Sequence, residues 1–95
     1  MSVYLIVDEL GISDEGKLKE YLASAGALLK ASGGKLLASA VPHVLEGDWK
    51  PKKVVLIEFP DQETLDRFWT SSEYRELAKI RQAVSDNNII TVESL

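Results

Sequence analysis

The chain has 95 residues, of which 45% are hydrophobic and 27% charged, and its formal net charge is −4. This length predicts one domain over residues 1–95 with a modest core. The acidic balance without a basic stripe argues against a nucleic-acid partner, and the absence of Cys excludes disulfides and thiolate metal sites. The apolar run at residues 3–7 is too short for a signal peptide or membrane span, so we expect a cytoplasmic protein with no membrane partner.

The spacing of apolar residues predicts a strand followed by a helix at the start of the chain. Residues 3–8 are β-rich and apolar on both faces, which indicates a strand covered on both sides. From Asp14 onward the apolar residues recur every three or four positions, as in an amphipathic helix. Either Ser13 or Asp14 is expected to cap this helix, and Gly33 with Gly34 to end it. The apolar residues of this pattern are Leu18, Tyr21, Leu22, Ala25, Leu28 and Leu29.

Three later segments are predicted as strands. Residues 35–40 form the second strand, with an extension through residues 44–45 left open. Residues 53–59 form the third strand, which has the strongest apolar run. Residues 89–93 form the last strand, after a polar stretch at residues 85–88 that is typical of a turn.

A second helix, broken in two, is predicted between the third and last strands. Pro60 ends the strand, and Asp61 is a suitable cap for the first helical piece. Residues 70–72 interrupt the pattern, and Ser71 or Ser72 is expected to cap the second piece. The predicted inward residues are Leu65, Phe68 and Trp69, followed by Tyr74, Leu77, Ala78, Ile80 and Val84.

This order of elements predicts a ferredoxin-like α+β fold, βαββαβ, with an antiparallel sheet and both helices on one face. Strands one and three should lie at the centre. Helices cover only one face, and the remaining face is mostly apolar with isolated acids. An exposed apolar sheet normally marks an association surface, so we expect a homodimer with sheets packed face to face. Side chains alternate between two sets along the central strands. One set is Val3, Leu5, Val7, Val55, Ile57 and Phe59, and the other is Tyr4, Ile6, Asp8, Val54, Leu56 and Glu58.

Several motifs resemble one protein family over nearly the whole chain. They are Gly33-Gly34, the Leu-Glu-Gly-Asp-Trp block at 45–49, Glu-Phe-Pro at 58–60, the aromatic-Ser-x-Glu-Tyr element at 69–74, Arg81, and Val92-Glu93. The sequence thereby resembles domain-of-unknown-function family 1330, short and mostly bacterial proteins of the dimeric α+β barrel superfamily. The resemblance implies that two ferredoxin-like copies pair into a dimeric α+β barrel. It implies no reaction, although the superfamily includes cofactor-free monooxygenases, isomerases, haem-degrading enzymes and ligand sensors.

Arg81 is the most informative candidate for a functional residue. It falls within the apolar stripe of the last helix, and a buried guanidinium needs an anionic partner because it keeps its charge. We interpret it as a clamp for an anionic ligand group. The alternatives are an ion pair with Glu58 or Glu93, or a stem on the core with its head in water. Glu58 is a candidate general base, with a rim position beside Arg81 or Lys35 as its alternative.

The connection before the third strand supplies further candidates. His43 is a candidate proton shuttle, although a lone His in a connecting segment is usually an ordinary surface residue. Many members of the resembled family carry an acidic or small polar residue at this position, so the ligand preference of this chain would differ if the position faces the site. Glu46 and Asp48 are candidate ligand-binding residues, although Gly47 and Asp48 also suit a plain turn. Trp49 either fills the dimer interface or lines a pocket for a flat ligand.

Two functional hypotheses follow. In the first, a small molecule binds in a cleft between the open sheet face and the helix break, walled by Trp49, Trp69 and Tyr74. Arg81 would hold its anionic group, and Glu58 or His43 would move protons in a cofactor-free isomerase or oxygenase-like reaction. No cofactor is expected, and no metal, because neither a His-x-x-x-His motif nor a Cys cluster occurs. In the second, the protein is a non-catalytic structural or interaction dimer with no ligand.

Overall fold

Four strands and three helices make up the computed structural model, which describes residues 1–95. The strands are β1 (Val3–Ile12), β2 (Lys35–Ala40), β3 (Lys53–Phe59) and β4 (Ser85–Glu93). The helices are α1 (Glu15–Ala31), α2 (Gln62–Thr70) and α3 (Ser72–Val84). The strands form one sheet in the order β2-β3-β1-β4, and every neighbouring pair is antiparallel. The predicted ferredoxin-like α+β fold, with the first and third strands at its centre, is confirmed.

Short polar side chains define the starts of all three helices, as the sequence predicts. Asp14, Asp61 and Ser71 each accept a hydrogen bond from the backbone N–H three residues further on, at 3.0, 2.7 and 3.2 Å. These bonds satisfy amide groups that have no partner inside the helix. After α1 the backbone turns at Gly33, whose φ of +94° is a conformation that favours glycine.

The core lies between the helices and one face of the sheet. Val3, Leu5 and Phe59 are nearly fully buried on that face, where they meet the buried residues of the helices. Because side chains alternate along a strand, the residues between them point to the other face. That open face carries no helix, and Ile90 and Val92 on it remain about half exposed.

The longest strands differ from their predicted bounds. β1 continues to Ile12 and β4 begins at Ser85, so the polar stretch at 85–88 is strand and not a turn. These residues pair with the end of β1 across a bulge between Glu9 and Gly11, and this pairing stabilises a polar segment as strand. β2 ends at Ala40 without the extension.

One predicted inward position is wrong. Ile80 is 40% exposed, because it lies at the outer edge of the apolar stripe of α3.

Candidate functional site

A cavity of about 290 Å³ lies between the helices and the covered face of the sheet. Thirteen of its twenty lining residues are hydrophobic, so its walls are largely apolar. The sheet contributes Leu5, Val7 and Ile57, and the helices contribute Leu29 and Phe68. The predicted cleft at the open face is therefore not the cavity that the structure shows, since the sheet separates the two.

Arg81 lines this cavity and is the one charged residue that is buried, with 9% of its surface exposed. Its Nε atom is buried and has no hydrogen-bond partner. The only salt bridge in the structure joins Lys79 and Glu76 on the exposed surface of α3. The predicted ion pair of Arg81 with Glu58 or Glu93 is therefore wrong, and the guanidinium has no counter-charge at salt-bridge distance.

Two tyrosines line the cavity with Arg81. The hydroxyl oxygens of Tyr21, on α1, and Tyr74, on α3, lie 2.9 Å apart in a buried hydrogen bond. One hydroxyl donates to the other, and the second keeps its own O–H for another acceptor. Burial, followed by the neighbouring Tyr74, raises the pKa of Tyr21 well above its ordinary value of 10.0, although Arg81 acts in the opposite direction. Tyr21 is therefore a protonated donor at neutral pH.

Aromatic rings form one wall of the cavity at the break between α2 and α3. The rings of Trp69 and Tyr74 lie 5.4 Å apart, and Phe68 lies 4.5 Å from Tyr74. Behind them, the Arg75 guanidinium stacks on Trp69 at 4.7 Å from the ring centroid. A cation over an aromatic face is attracted by the ring quadrupole, so Arg75 holds these rings in place. The aromatic wall is suited to a flat apolar ligand.

Polar side chains line another part of the cavity. Glu9 on β1 pairs across the sheet with Lys53 on β3 and Asn87 on β4, and all three line the cavity. The Ser85 hydroxyl accepts a hydrogen bond from the Asn87 amide and donates one to the Arg81 carbonyl oxygen. These bonds fix the start of β4 against the end of α3.

The structure brings three of the predicted site residues together, namely Arg81, Trp69 and Tyr74. Glu58 pairs with Tyr4 and therefore faces the opposite side of the sheet, so it does not share the cavity with Arg81. His43 lies in the exposed connection between β2 and β3, outside the cavity. The catalytic roles of Glu58 and His43 stay predictions.

The remaining predicted residues lie in the same connection. Glu46 and Asp48 are exposed and do not line the cavity, and their binding roles also stay predictions. Trp49 is 56% exposed, and its Nε1 donates to Asp8 Oδ2 at 3.2 Å. Because Asp8 lies on the open face, this bond holds the connection close to that face.

Sequence reasoning did not single out Tyr21 or Glu9 as functional. Tyr21 lies in the apolar stripe of α1, where an aromatic core residue and a binding residue have the same spacing. Glu9 follows the predicted end of the first strand, and only the observed continuation of β1 places it on the covered face. In both cases the signal in the sequence is a polar group within or next to an apolar segment. This signal identifies a cavity residue only when the positions of the helices and strands are known.

The comparison with protein families identifies the chain. The model of a domain of unknown function, DUF1330, matches residues 2–95. The chain belongs to the DUF1330 family. No curated protein matches this DUF1330 chain significantly. None of its helices has both the length and the apolar character needed to cross a bilayer.

Solved structures share the fold of this DUF1330 protein. A protein of unknown function from Rhodopseudomonas palustris has a TM-score of 0.79 and 20% identity, covering 99% of this chain and 82% of that one. A dimeric ferredoxin-like protein of unknown function from a Jannaschia species has a TM-score of 0.75 and 14% identity, covering 99% and 100%. SnoaB, a cofactor-independent oxygenase from Streptomyces nogalater, has a TM-score of 0.64 and 13% identity, covering 99% and 91%. At these identities the likeness shows the fold alone.

Proposed function

We propose that this DUF1330 protein is a homodimer that binds a small, largely apolar molecule with one anionic group in the cavity. The observation that carries the proposal is Arg81, a buried guanidinium in an apolar cavity with no counter-charge at salt-bridge distance. A buried charge is costly unless it is paired, and a guanidinium cannot lose its proton at neutral pH. A carboxylate or similar anion on the ligand supplies the missing charge.

The tyrosine pair supports the same ligand chemistry. Because the pKa of Tyr21 is raised, both the pair and Arg81 present donors and no negative charge at neutral pH. A hydroxyl donor and a guanidinium in one cavity favour a ligand oxygen that carries or develops negative charge.

The volume and walls of the cavity define the rest of the ligand. A cavity of about 290 Å³ lies at the small end of the range for ligand pockets and suits a molecule with one or two rings. Trp69 and Phe68 offer flat surfaces for such rings. We therefore infer that the ligand class is aromatic or cyclic acids.

The shape of the protomer supports the homodimer. The protomer extends 36 × 34 × 16 Å, so it is a flat slab with one sheet face open. Its accessible surface is 6426 Å², whereas the size scaling for monomers gives about 5,400 Å² for 10.5 kDa. The excess of roughly 1,000 Å² is close to the area that one partner buries in a standard interface. A second copy on the open face would cover it, and the Jannaschia neighbour is described as dimeric.

The decisive experiment compares a carboxylate with its neutral counterpart. Titration calorimetry with phenylacetate and phenylacetamide should show that the wild-type protein prefers the carboxylate by about tenfold or more, which is about 1.4 kcal/mol. Arg81→Met should remove that preference and leave any binding of the amide unchanged. Arg67→Met, on the exposed surface of α2, is the matched control and should bind as the wild type does. Equal binding of both compounds by the wild type would contradict the proposal.

A further inference from the structure

We propose that Glu9 is the proton-transfer group of this cavity, and that the substrates are 2-oxo acids with an acidic C–H beside the carbonyl. The inference rests on the proposed function, because it requires a ligand held against Arg81. It goes further in assigning a reaction class, cofactor-free enolisation, to the site.

Glu9 lines the cavity, and a group that accepts a proton from the ligand must lie there. It is the only carboxylate among the residues that line the cavity, and it is half-buried. It shares the covered face of β1 with Leu5 and Val7, whereas Glu58 points to the other side of the sheet. A general base must reach the proton that it removes, and Glu9 is the acid that meets this condition.

The backbone next to Glu9 departs from a regular strand. The pairing of β1 with β4 shifts register between Glu9 and Gly11, which leaves Leu10 as the extra, exposed residue. Bulges redirect neighbouring side chains and are over-represented next to active sites. The bulge therefore distinguishes Glu9 from a residue in a regularly paired strand.

The cross-strand neighbours of Glu9 line the same cavity as Arg81. Asn87 lies opposite Glu9 on β4, and the Ser85 hydroxyl joins the Asn87 amide to the Arg81 carbonyl oxygen at 3.0 and 2.7 Å. Lys53 lies opposite Glu9 on β3, and it lines the cavity as well. Glu9 and Arg81 therefore line one cavity, and the hydrogen bonds join the end of α3 that carries Arg81 to the strand that pairs with Glu9.

The proposed step balances without an external oxidant or cofactor. Arg81 holds the carboxylate of the 2-oxo acid, and a Glu9 oxygen takes a proton from the carbon next to the carbonyl. The C–H electron pair becomes the new C=C bond, and the carbonyl π electrons move to oxygen, where a tyrosine hydroxyl donates a hydrogen bond. The protonated Glu9 exchanges its proton with solvent and returns one to the carbon. Alternatively, the enolate oxygen takes a proton from water and the hydroxide that remains takes the proton of Glu9, which gives the enol.

Phenylpyruvate in D₂O tests the proposal, because it combines a ring, a carboxylate and an enolisable carbon. The wild type should accelerate deuterium incorporation at C3, followed by NMR, beyond the buffer rate. Glu9→Gln should lower the enzymatic rate by about 100-fold or more, the usual contribution of a general base, with the dissociation constant of phenylpyruvate changed by less than threefold. Glu9→Asp, which keeps a carboxylate, should retain part of the rate.

Two further variants make the outcomes distinguishable. Glu20→Gln, on the exposed surface of α1, should exchange deuterium like the wild type. A loss of exchange in Glu58→Gln with full activity in Glu9→Gln would overturn the Glu9 assignment in favour of Glu58. Arg81-dependent binding of phenylpyruvate with no exchange above buffer would overturn the enolisation proposal and leave the binding proposal standing. Absence of any Arg81-dependent binding would overturn both.

Discussion

The Arg81 guanidinium is buried in an apolar cavity, where a positive charge without a counter-charge raises the free energy of the folded state. Arg81→Met keeps most of the side-chain volume and removes the charge. We therefore expect the ligand-free variant to gain about 1 kcal/mol in its free energy of unfolding, measured by urea denaturation. A loss of about 3–5 kcal/mol would instead show that Arg81 belongs to a buried ion pair.

The raised pKa of Tyr21 predicts how stability depends on alkaline pH. Its proton is bound more tightly in the folded than in the unfolded protein, so its contribution is complete below the ordinary pKa of 10.0 and is lost as the pH rises above it. Between about pH 8 and pH 11 the wild type should lose about 1 kcal/mol more than Tyr21→Phe does. Urea denaturation of both proteins at the two pH values measures this difference. An equal loss in the free energy of unfolding of both proteins would contradict the raised pKa of Tyr21.

The sequence revealed Arg81 but not its surroundings. Seven-residue spacing from Tyr74 placed Arg81 on the inner face of α3, and the structure has it there. Alternation along β3 placed Glu58 opposite the set that includes Ile57, which the pairing confirms. The prediction that Arg81 and Glu58 share one cleft is wrong, because the periodicity of apolar residues does not determine on which side of the sheet a cavity forms.

At the scale of elements, two glycines of the first helix and its exit have opposite environments. A Cβ at Gly26, in the middle of α1, would meet no atom within 4 Å, whereas one at Gly34 would lie 2.8 Å from Leu29 Cγ and 3.1 Å from Phe59 Cε1. Gly26→Ala should therefore stabilise the protein by about 0.5–1 kcal/mol, because alanine loses less backbone entropy in a helix. Gly34→Ala should destabilise it by about 1–3 kcal/mol through overpacking.

Thermal and urea denaturation of the two glycine variants provide the measurement, and each variant controls for the other. A gain in stability in both variants would show that backbone entropy, and not the local packing, determines the effect.

Helix bounds were predictable, whereas the length of the β1–β4 pair was not. Asp14, Asp61 and Ser71 are caps by virtue of their own side chains, so their neighbours in sequence suffice to find them. Residues 85–88 are polar and resemble a turn, and they become strand because β1 offers them partners beyond its bulge. Such pairing connects segments more than 70 residues apart and leaves no local signal.

At the scale of the whole molecule, the open sheet face determines whether the protein exists as one copy or two. Ile90 and Val92 on β4 are 55% and 47% exposed on this face, beside the half-buried Ile6 and Leu56 of the central strands. Contiguous apolar surface of this kind is rarely left in water by a monomeric protein. We expect sedimentation velocity at micromolar concentration to show a dimer.

A charge on the open face should separate the two copies. Ile90→Lys would place an ammonium group between the packed sheets, where it loses its hydration without gaining a partner, so the variant should sediment as a monomer. Ile80→Lys is the matched control, because Ile80 is 40% exposed on α3, on the side of the protomer away from the open face. This variant should remain dimeric. If Ile80→Lys dissociates the dimer and Ile90→Lys does not, the copies meet through the helices, and the open face requires another partner.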